Sequence, residues 1–183
     1  LQKAVKKKIG MVNCKYAITG AAPINPDILR MFHKVGVPLY EGYGMTETTA
    51  GASINYKGNV KIGSVGRTLP GGTELKTDTD GEIMFRGRHV MKGYYNNPEA
   101  TAEVMDGDWL RSGDIGKIDD DGFVTITGRK KELYISSGGK NIAPLLIEET
   151  MKAIPLVSQC FLVGDGRKFC SALLTLDVSA ILR

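Results

Sequence analysis

The spacing of apolar positions changes character twice along the chain. In the first fifty residues, Val5 and Ile9 fit one face of a helix, and Tyr16–Thr19 and Val37–Tyr40 are short strand-like runs. A helical stretch separates the two runs, so a parallel α/β sheet is predicted, with ligands expected at the carboxyl ends of its strands. The second run leads directly into Tyr40–Thr49, a segment rich in glycine and threonine.

The helix between these two runs has clear start and stop signals. Asn25 is a suitable N-cap, Pro26 suits the first turn, and Asp27 is favoured near the positive end of the helix dipole. Gly36 is expected to end the helix. Its buried stripe is predicted to contain Ile28, Phe32 and Val35.

The pattern becomes β-like between residues 51 and 130, where short runs are separated by glycine-rich turns. Asp121-Gly122 is typical of a tight hairpin turn, and Asn97 opens one helix that is expected to reach about Met105. This part is predicted to be a small β-rich subdomain that forms a distorted barrel. Its strands are expected at 61–66, 73–77, 81–86 and 123–127.

The last fifty residues predict a strand–helix–strand–strand unit, with a helix from Pro144 to about Ala153 and strands at Gln159–Val163 and Phe169–Leu176. The predicted fold class is therefore mixed α/β and β, in three parts. Residues 1–50 would be the end of a parallel α/β subdomain, 51–130 the β-rich subdomain, and 131–183 the start of an incomplete α+β C-terminal domain.

Composition changes this picture little. The chain has 183 residues, of which 42% are hydrophobic and 24% charged, as is typical of globular proteins. No stretch approaches the roughly 20 apolar residues of a membrane helix, and the N-terminus has no signal pattern, so a cytoplasmic location is expected. Three cysteines without a CxxC pair argue against a disulfide framework or a zinc site.

The net charge is +4, and the densest basic run comprises Lys3, Lys6, Lys7 and Lys8. A solvated helix face is the simpler interpretation. Attraction to an anionic membrane surface is the alternative, which leaves peripheral association open. No aromatic residues interleave with these lysines, so nucleic acid is not an expected partner.

The candidate chemistry lies in Tyr40–Thr49. The chain has neither a GxxxxGK[ST] nor a GxGxxG motif, so phosphate binding requires another device. Gly42 and Gly44 flank Tyr43, which would let the backbone approach a ligand and the ring lie against a base. Thr46 offers a hydroxyl to a phosphate, and Glu47 offers an oxygen ligand suited to Mg²⁺. The same segment could also be a structural strand-to-helix turn.

Five segments in order resemble the motifs of the adenylate-forming superfamily, which includes acyl-CoA synthetases, luciferases and peptide-synthetase adenylation domains. They are Gly20–Pro23, Tyr40–Thr49, Gly81–Tyr95, Trp109–Asp114 and Gly128–Asn141. The resemblance implies a nucleotide site for ATP or AMP formed by Gly20, Ala21, Glu41, Gly42, Tyr43, Gly44, Thr46, Asp114 and Arg129.

The resemblance also implies individual roles. Tyr43 would stack on adenine, Thr46 would contact the α-phosphate and Glu47 would hold Mg²⁺. Asp114 would accept both ribose hydroxyls, with a second ribose contact from Arg129. Lys131 matches the hinge about which the small domain of the superfamily rotates, and Gly138 and Gly139 match the loop that lines its CoA pantetheine tunnel. Thr46, Glu47 and Lys131 are thus the implied catalytic residues.

The implied activity is that of an acid–thiol ligase, which converts ATP and a fatty acid into acyl-AMP and then, with CoA, into acyl-CoA and AMP. The segments around Lys7–Gly10 and Lys168–Leu176 look most like long-chain fatty-acyl-CoA synthetases of the bubblegum type. Departures from the usual pattern are Arg111, Ser112 and Tyr134. The alternatives are an acyl-AMP ligase that acts on a carrier protein and a non-catalytic nucleotide-binding module.

The superfamily also has a triphosphate-binding loop, which would lie upstream of Leu1, and a lysine near its C-terminus, which would lie beyond Arg183. The sequence is therefore expected to be a C-terminal fragment of a longer enzyme. On its own it is expected to keep weak nucleotide affinity but not to make acyl-CoA.

Overall fold

A computed structural model describes residues 2–182. The chain divides into two compact units. The first contains the residues up to Ser112 together with Gly116–Ile126, and the second contains Gly113–Ile115 and the residues from Thr127 onward.

Five helices and thirteen short strands make up the described part of the chain. The helices are α1 (Gln2–Lys8), α2 (Pro26–Lys34), α3 (Pro98–Val104), α4 (Pro144–Lys152) and α5 (Val178–Ile181). The strands are β1 (Ala17–Thr19), β2 (Leu39–Tyr43), β3 (Ser53–Ile54), β4 (Arg67–Thr68), β5 (Glu74–Thr77), β6 (Glu82–Arg86), β7 (Met105–Asp106), β8 (Trp109–Ile118), β9 (Val124–Arg129), β10 (Tyr134–Ile135), β11 (Asn141–Ile142), β12 (Val157–Val163) and β13 (Ser171–Leu176).

The first sheet has the order β1-β2-β3-β4. Strands β1 and β2 are parallel, with Ile18 opposite Tyr40 and Thr19 opposite Glu41, as the sequence predicts. Strand β2 starts two residues later than expected and continues to Tyr43, so the first half of the tyrosine–glycine segment is itself a strand.

Helix α2 begins as predicted, because the side chain of Asn25 accepts a hydrogen bond from the Asp27 backbone N–H at 2.8 Å. Its predicted buried stripe is wrong, since Ile28 is exposed and Phe32 and Val35 are only half-buried. The buried residue is Leu29. His33 lies one turn further along on the same face as Leu29, and its ring contacts the carbonyl oxygen of Leu39 at 2.6 Å. The inward face of the helix therefore lies one position later in the sequence than predicted.

The second sheet carries the core of the first unit. Its strands have the order β5-β6-β8-β7, and β9 pairs with β8. The buried cluster comprises Ala52, Ile83, Phe85, Leu110 and Val124. The hairpin between β8 and β9 forms where predicted, with the Gly122 N–H donating to the Asp119 carbonyl oxygen.

The mixed α/β class is confirmed, but the strands of the described residues do not close into the expected barrel. Residues 61–66, which were predicted to be a strand, form a turn instead. The side chain of buried Asn55 accepts from the Lys61 N–H at 2.9 Å and donates to the Ser64 carbonyl oxygen at 2.7 Å. These bonds replace the ladder partners that a strand would need. The Val65 N–H donates to the Val124 carbonyl oxygen and the Val124 N–H donates to the Gly66 carbonyl oxygen, which links this turn to β9.

The second unit contains two small antiparallel pairs, β10-β11 and β12-β13. Helix α4 packs on β12, where Cys160 and Leu162 are buried. The Glu148 side chain of α4 accepts from the Leu162 N–H at 2.7 Å, which fixes the helix along the strand. Within residues 2–182, no helix is long and apolar enough to cross a membrane.

Candidate active site

The ends of β1 and β2 approach each other closely. A Cβ on Gly20 would lie 3.0 Å from the carbonyl oxygen of Gly42, so only glycine fits without a shift of the strands. Gly20 opens the turn that contains Ala21, whose φ of 68° is left-handed. The two segments that sequence analysis assigned to the adenine side therefore lie next to each other at the carboxyl ends of two parallel strands.

Tyr43 is the last residue of β2, and it is half-buried against the core of the first unit. Its ring centroid is 5.6 Å from that of Phe85, with the two planes tilted by 36°. The chain then makes a short 3-10 turn, Thr46–Thr48, in which buried Thr48 exchanges hydrogen bonds of 3.0 Å with the backbone of Met45. This turn therefore fixes the backbone positions of Thr46 and Glu47.

The glycines of this segment are required by the chain itself. A Cβ on Gly44 would collide with the carbonyl oxygen of Ala50, and one on Gly42 would lie 3.2 Å from the carbonyl oxygen of Ser53. Thr49 and Ala50 adopt left-handed conformations to bring the backbone back towards Gly44. These contacts support the interpretation as a structural turn, and they do not conflict with the interpretation as a binding loop.

Glu47 is half-buried, and Thr46 before it is exposed. The Tyr94 hydroxyl donates to Oε1 of Glu47 at 2.7 Å. The same hydrogen bond, together with burial, raises the pKa of the Tyr94 phenol. Residues 2–182 contain no cluster of three or more metal-ligating side chains. A single carboxylate still fits Mg²⁺, which commonly takes one or two carboxylates together with phosphate oxygens and waters.

The segment His89–Tyr94 holds this turn, and sequence analysis assigned its residues no role. The Met91 N–H donates to the carbonyl oxygen of Glu47 at 2.7 Å, and the Thr49 hydroxyl donates to the carbonyl oxygen of His89 at 2.8 Å. The sequence does contain a signal for this segment, because Gly81–Tyr95 resembles a motif of the superfamily. Only the contact across more than forty residues shows what the motif touches.

Glu41 lies in β2, two residues before Tyr43, and it is buried. Burial raises the pKa of its carboxyl group, and a hydrogen bond from the Ile24 backbone opposes that shift. The Glu41 carbonyl oxygen accepts from the backbone N–H of Asn55 at 2.9 Å and from its side chain at 3.2 Å. This oxygen is therefore committed to the sheet.

In the second unit, Asp114 and Arg129 lie together as a pair. The Asp114 side chain is only 11% exposed, and its Oδ1 lies 3.3 Å from Nε of Arg129, which is itself mostly exposed. A guanidinium beside a nearly buried carboxylate orients that carboxylate. The two residues to which the resemblance assigns the ribose are thus neighbours.

The second unit also contains the three remaining residues with assigned roles. Lys131 is exposed in the short 3-10 turn Lys130–Glu132. Gly138 and Gly139 lie in a tight loop in which the Gly139 N–H donates to the Ser136 carbonyl oxygen at 2.8 Å. A Cβ on Gly139 would meet nothing within 4 Å, and one on Gly138 would make only an ordinary contact with Ser136. Within the described residues, packing thus does not exclude a side chain at either position.

The structure therefore gathers the predicted residues into two groups. The first unit brings together Gly20, Ala21, Glu41, Gly42, Tyr43, Gly44, Thr46 and Glu47 around the ends of β1 and β2. The second unit contains Asp114, Arg129, Lys131, Gly138 and Gly139.

Two family models match this chain. Residues 2–95 match the family described as AMP-binding enzyme, and residues 131–181 match the AMP-binding enzyme C-terminal domain. The chain belongs to the AMP-binding enzyme family. The resemblance to adenylate-forming enzymes is thereby confirmed, and it extends over both units.

Relatives within the family are named as long-chain-fatty-acid–CoA ligases. FadD15 of Mycobacterium bovis is 44% identical over 168 residues, which cover 92% of this chain and 28% of the relative. ACSBG2 of Gallus gallus, a bubblegum-type ligase, is 45% identical over 180 residues, which cover 95% of this chain and 24% of the relative. The chain thus spans about a quarter of the length of these relatives.

Solved structures of the family share the fold. The o-succinylbenzoate CoA synthetase of Bacillus subtilis in complex with its acyl-adenylate intermediate matches with a TM-score of 0.82 and 29% identity, over 96% of this chain and 40% of that chain. The same enzyme in complex with ATP and a magnesium ion matches with a TM-score of 0.80 and 30% identity, over the same shares. Nucleotide and Mg²⁺ are thus ligands of a structural neighbour.

Two residues that depart from the expected motifs, Arg111 and Tyr134, make specific contacts in this structure. Arg111 lies 2.9 Å from Asp78, 3.2 Å from buried Glu82 and 2.9 Å from Asp106. The Tyr134 hydroxyl donates to the carbonyl oxygen of Leu162 at 2.8 Å. Both residues therefore make specific contacts within the described part of the chain.

Proposed function

We propose that this chain is part of a long-chain fatty acid–CoA ligase. The observation that carries the proposal is the identity of 44–45%, across more than nine-tenths of the chain, with two proteins named for that activity. In the proposed reaction, a fatty carboxylate attacks the α-phosphorus of ATP and pyrophosphate leaves. The thiol of CoA then attacks the carbonyl carbon of the acyl-adenylate, and AMP leaves.

Each unit is proposed to offer its own groups that suit a nucleotide. Tyr43 offers an aromatic face at the end of β2, supported from the core side by Phe85. The turn after Gly20 offers a backbone edge beside it. Asp114, oriented by Arg129, offers two carboxylate oxygens, which suit the two hydroxyls of a ribose. Thr46, exposed at the start of its turn, offers a hydroxyl for the α-phosphate.

Mg²⁺ is proposed to bind at Glu47 together with phosphate oxygens. The support is the fixed carboxylate, one oxygen of which is already bonded to Tyr94. When bound, the ion would neutralise the negative charge that develops on the phosphate. The contribution of the chain is to hold the carboxylate at a set position before the nucleotide arrives.

The loop with Gly138 and Gly139 is proposed to line the path of the CoA pantetheine. The supporting observation is that neither glycine is required by neighbouring atoms, although the φ of 77° at Gly139 favours glycine on conformational grounds. A residue without a side chain in open space is consistent with close approach of a ligand. Lys131 is proposed as the hinge about which the small domain rotates between the two half-reactions.

A peripheral membrane contact is proposed at α1, in a protein that acts in the cytoplasm. Lys6, Lys7 and Lys8 form the last turn of this helix, and Lys7 and Lys8 are exposed. Lysines in such a cluster are attracted to anionic lipid. Sedimentation with vesicles that contain anionic lipid would test the contact, because it should weaken as salt is raised.

The complete gene product tests the proposed activity. Fatty-acid-dependent exchange of pyrophosphate into ATP is expected, followed by CoA-dependent release of AMP. A panel of acids of increasing length would identify the preferred substrate. Exchange without CoA-dependent release would point to transfer to a carrier protein, and the absence of exchange with every acid would contradict the proposal.

A further inference from the structure

Glu47 receives two hydrogen bonds from a segment more than forty residues away. Its carbonyl oxygen accepts from the Met91 N–H, and its carboxylate accepts from the Tyr94 hydroxyl, both at 2.7 Å. The neighbouring Thr49 hydroxyl donates to the His89 carbonyl oxygen at 2.8 Å. Three contacts from one distant segment thus surround a three-residue turn, and one of them reaches a side chain that is proposed to act on a ligand.

Tyr94 is itself held by the first turn of α3. The Tyr94 N–H donates to the Thr101 hydroxyl at 2.9 Å, and that hydroxyl donates to the carbonyl oxygen of Asn97 at 2.9 Å. Gly93 lies so close to Thr101 that a Cβ would be 2.9 Å from its methyl group. The phenol is therefore presented by a fixed backbone, which lets one hydrogen bond set the direction of the Glu47 carboxylate.

We propose that Tyr94 is a positioning residue, which orients the Glu47 carboxylate so that its second oxygen faces the metal and the phosphates. This inference rests on the proposed role of Glu47 as the Mg²⁺ ligand. A free glutamate side chain would have to lose its rotational freedom when the ion binds. A carboxylate that Tyr94 has already fixed has less to lose, so the ion binds more tightly.

The chain supplies a matched control in the next residue. Tyr95 is 93% exposed, and no hydrogen bond of its hydroxyl is found among the described residues. Tyr94→Phe and Tyr95→Phe each remove one hydroxyl from adjacent positions, so they share any general effect of the substitution. They differ in the contact with Glu47.

The experiment is calorimetric titration of the complete gene product with a non-hydrolysable ATP analogue, with and without Mg²⁺. The Mg²⁺-dependent gain in affinity is expected to fall about 10-fold in Tyr94→Phe and to stay unchanged in Tyr95→Phe. The affinity for AMP without metal should be the same in both variants. A Tyr94→Phe protein that keeps the full Mg²⁺-dependent gain would overturn the inference.

Three further variants separate the possible failures. If Glu47→Gln leaves the Mg²⁺-dependent gain intact, the proposed metal role of Glu47 is wrong. If Glu47→Gln removes the gain but Tyr94→Phe does not, only the positioning role is wrong. The double variant should be no worse than Glu47→Gln alone. Thr101→Val, which frees the Tyr94 backbone, should reduce the gain in the same direction, and this variant replaces Tyr94→Phe if the latter does not fold.

Discussion

Gly44 and Ala50 approach so closely that the carbonyl oxygen of Ala50 occupies the place of a Cβ on Gly44. The close approach closes the turn that presents Thr46 and Glu47. We expect Gly44→Ala to lower the free energy of unfolding by about 3 kcal/mol or more, because the backbone must separate to admit the methyl group. Chemical denaturation measures the change. Gly138→Ala is the control, since that position has open space and an ordinary φ.

Gly138 should respond in function and not in stability. We expect Gly138→Val to slow CoA-dependent release of AMP at least about 10-fold, since the added side chain would stand in the proposed pantetheine path. Adenylation, measured by pyrophosphate exchange, should be nearly unaffected. Equal losses in the two half-reactions would contradict the assignment of this loop to CoA.

Arg111 joins three acidic side chains on neighbouring strands and turns. Arg111→Met is expected to lower the melting temperature by several degrees, because buried Glu82 would lose its cationic partner. Arg30→Met should have a smaller effect, since the Arg30–Asp27 pair is exposed.

The contribution of Arg111 should also depend on pH. The N–H of Thr79 and the Arg111 guanidinium both lower the pKa of Asp78, so the difference in melting temperature between Arg111→Met and the parent should shrink as the pH falls through the carboxyl range. Equal melting temperatures at neutral pH would refute this account of Arg111.

His89 should make the first unit sensitive to mild acid. Burial lowers the pKa of its ring, and within residues 2–182 its Nε2 has no hydrogen-bond partner. The unfolded chain therefore takes up a proton near the ordinary histidine pKa while the folded chain does not, so stability should be lost as the pH falls below about 6.5. Denaturation at several pH values should show this loss in the parent and a flatter profile in His89→Phe. Parallel profiles would exclude His89 as the cause.

Local signals in the sequence predicted much of the fold. The Asn25 cap, the Asp119–Gly122 turn and the parallel β1–β2 pair depend on residues close in sequence or on simple periodicity. The inward face of α2 and the turn at 61–66 could not be predicted in this way, because His33 and Asn55 form polar contacts that periodicity does not encode. The predicted barrel was also wrong, and one of its expected strands is that turn.

The candidate site shows the same division. The order of the motifs is enough to identify Tyr43, Glu47 and Asp114 as candidates from the sequence, but it gives no reason to select Tyr94. The contact between Tyr94 and Glu47 spans 47 positions and depends on the path of the chain between them. Residue types can therefore indicate which groups meet a ligand, whereas the groups that orient them require the three-dimensional structure.

The central claim is that Asp114 binds the ribose of an adenine nucleotide, and its most direct test compares AMP with 2′-deoxy-AMP. Calorimetric titration of the complete gene product should show about 10-fold tighter binding of AMP, since 2′-deoxy-AMP lacks the hydroxyl that would donate a hydrogen bond to the Asp114 carboxylate. Asp114→Ala should abolish that preference, and Asp120→Ala, at an exposed aspartate six residues on, should retain it. If Asp114→Ala still discriminates between the two nucleotides, the proposed site is wrong.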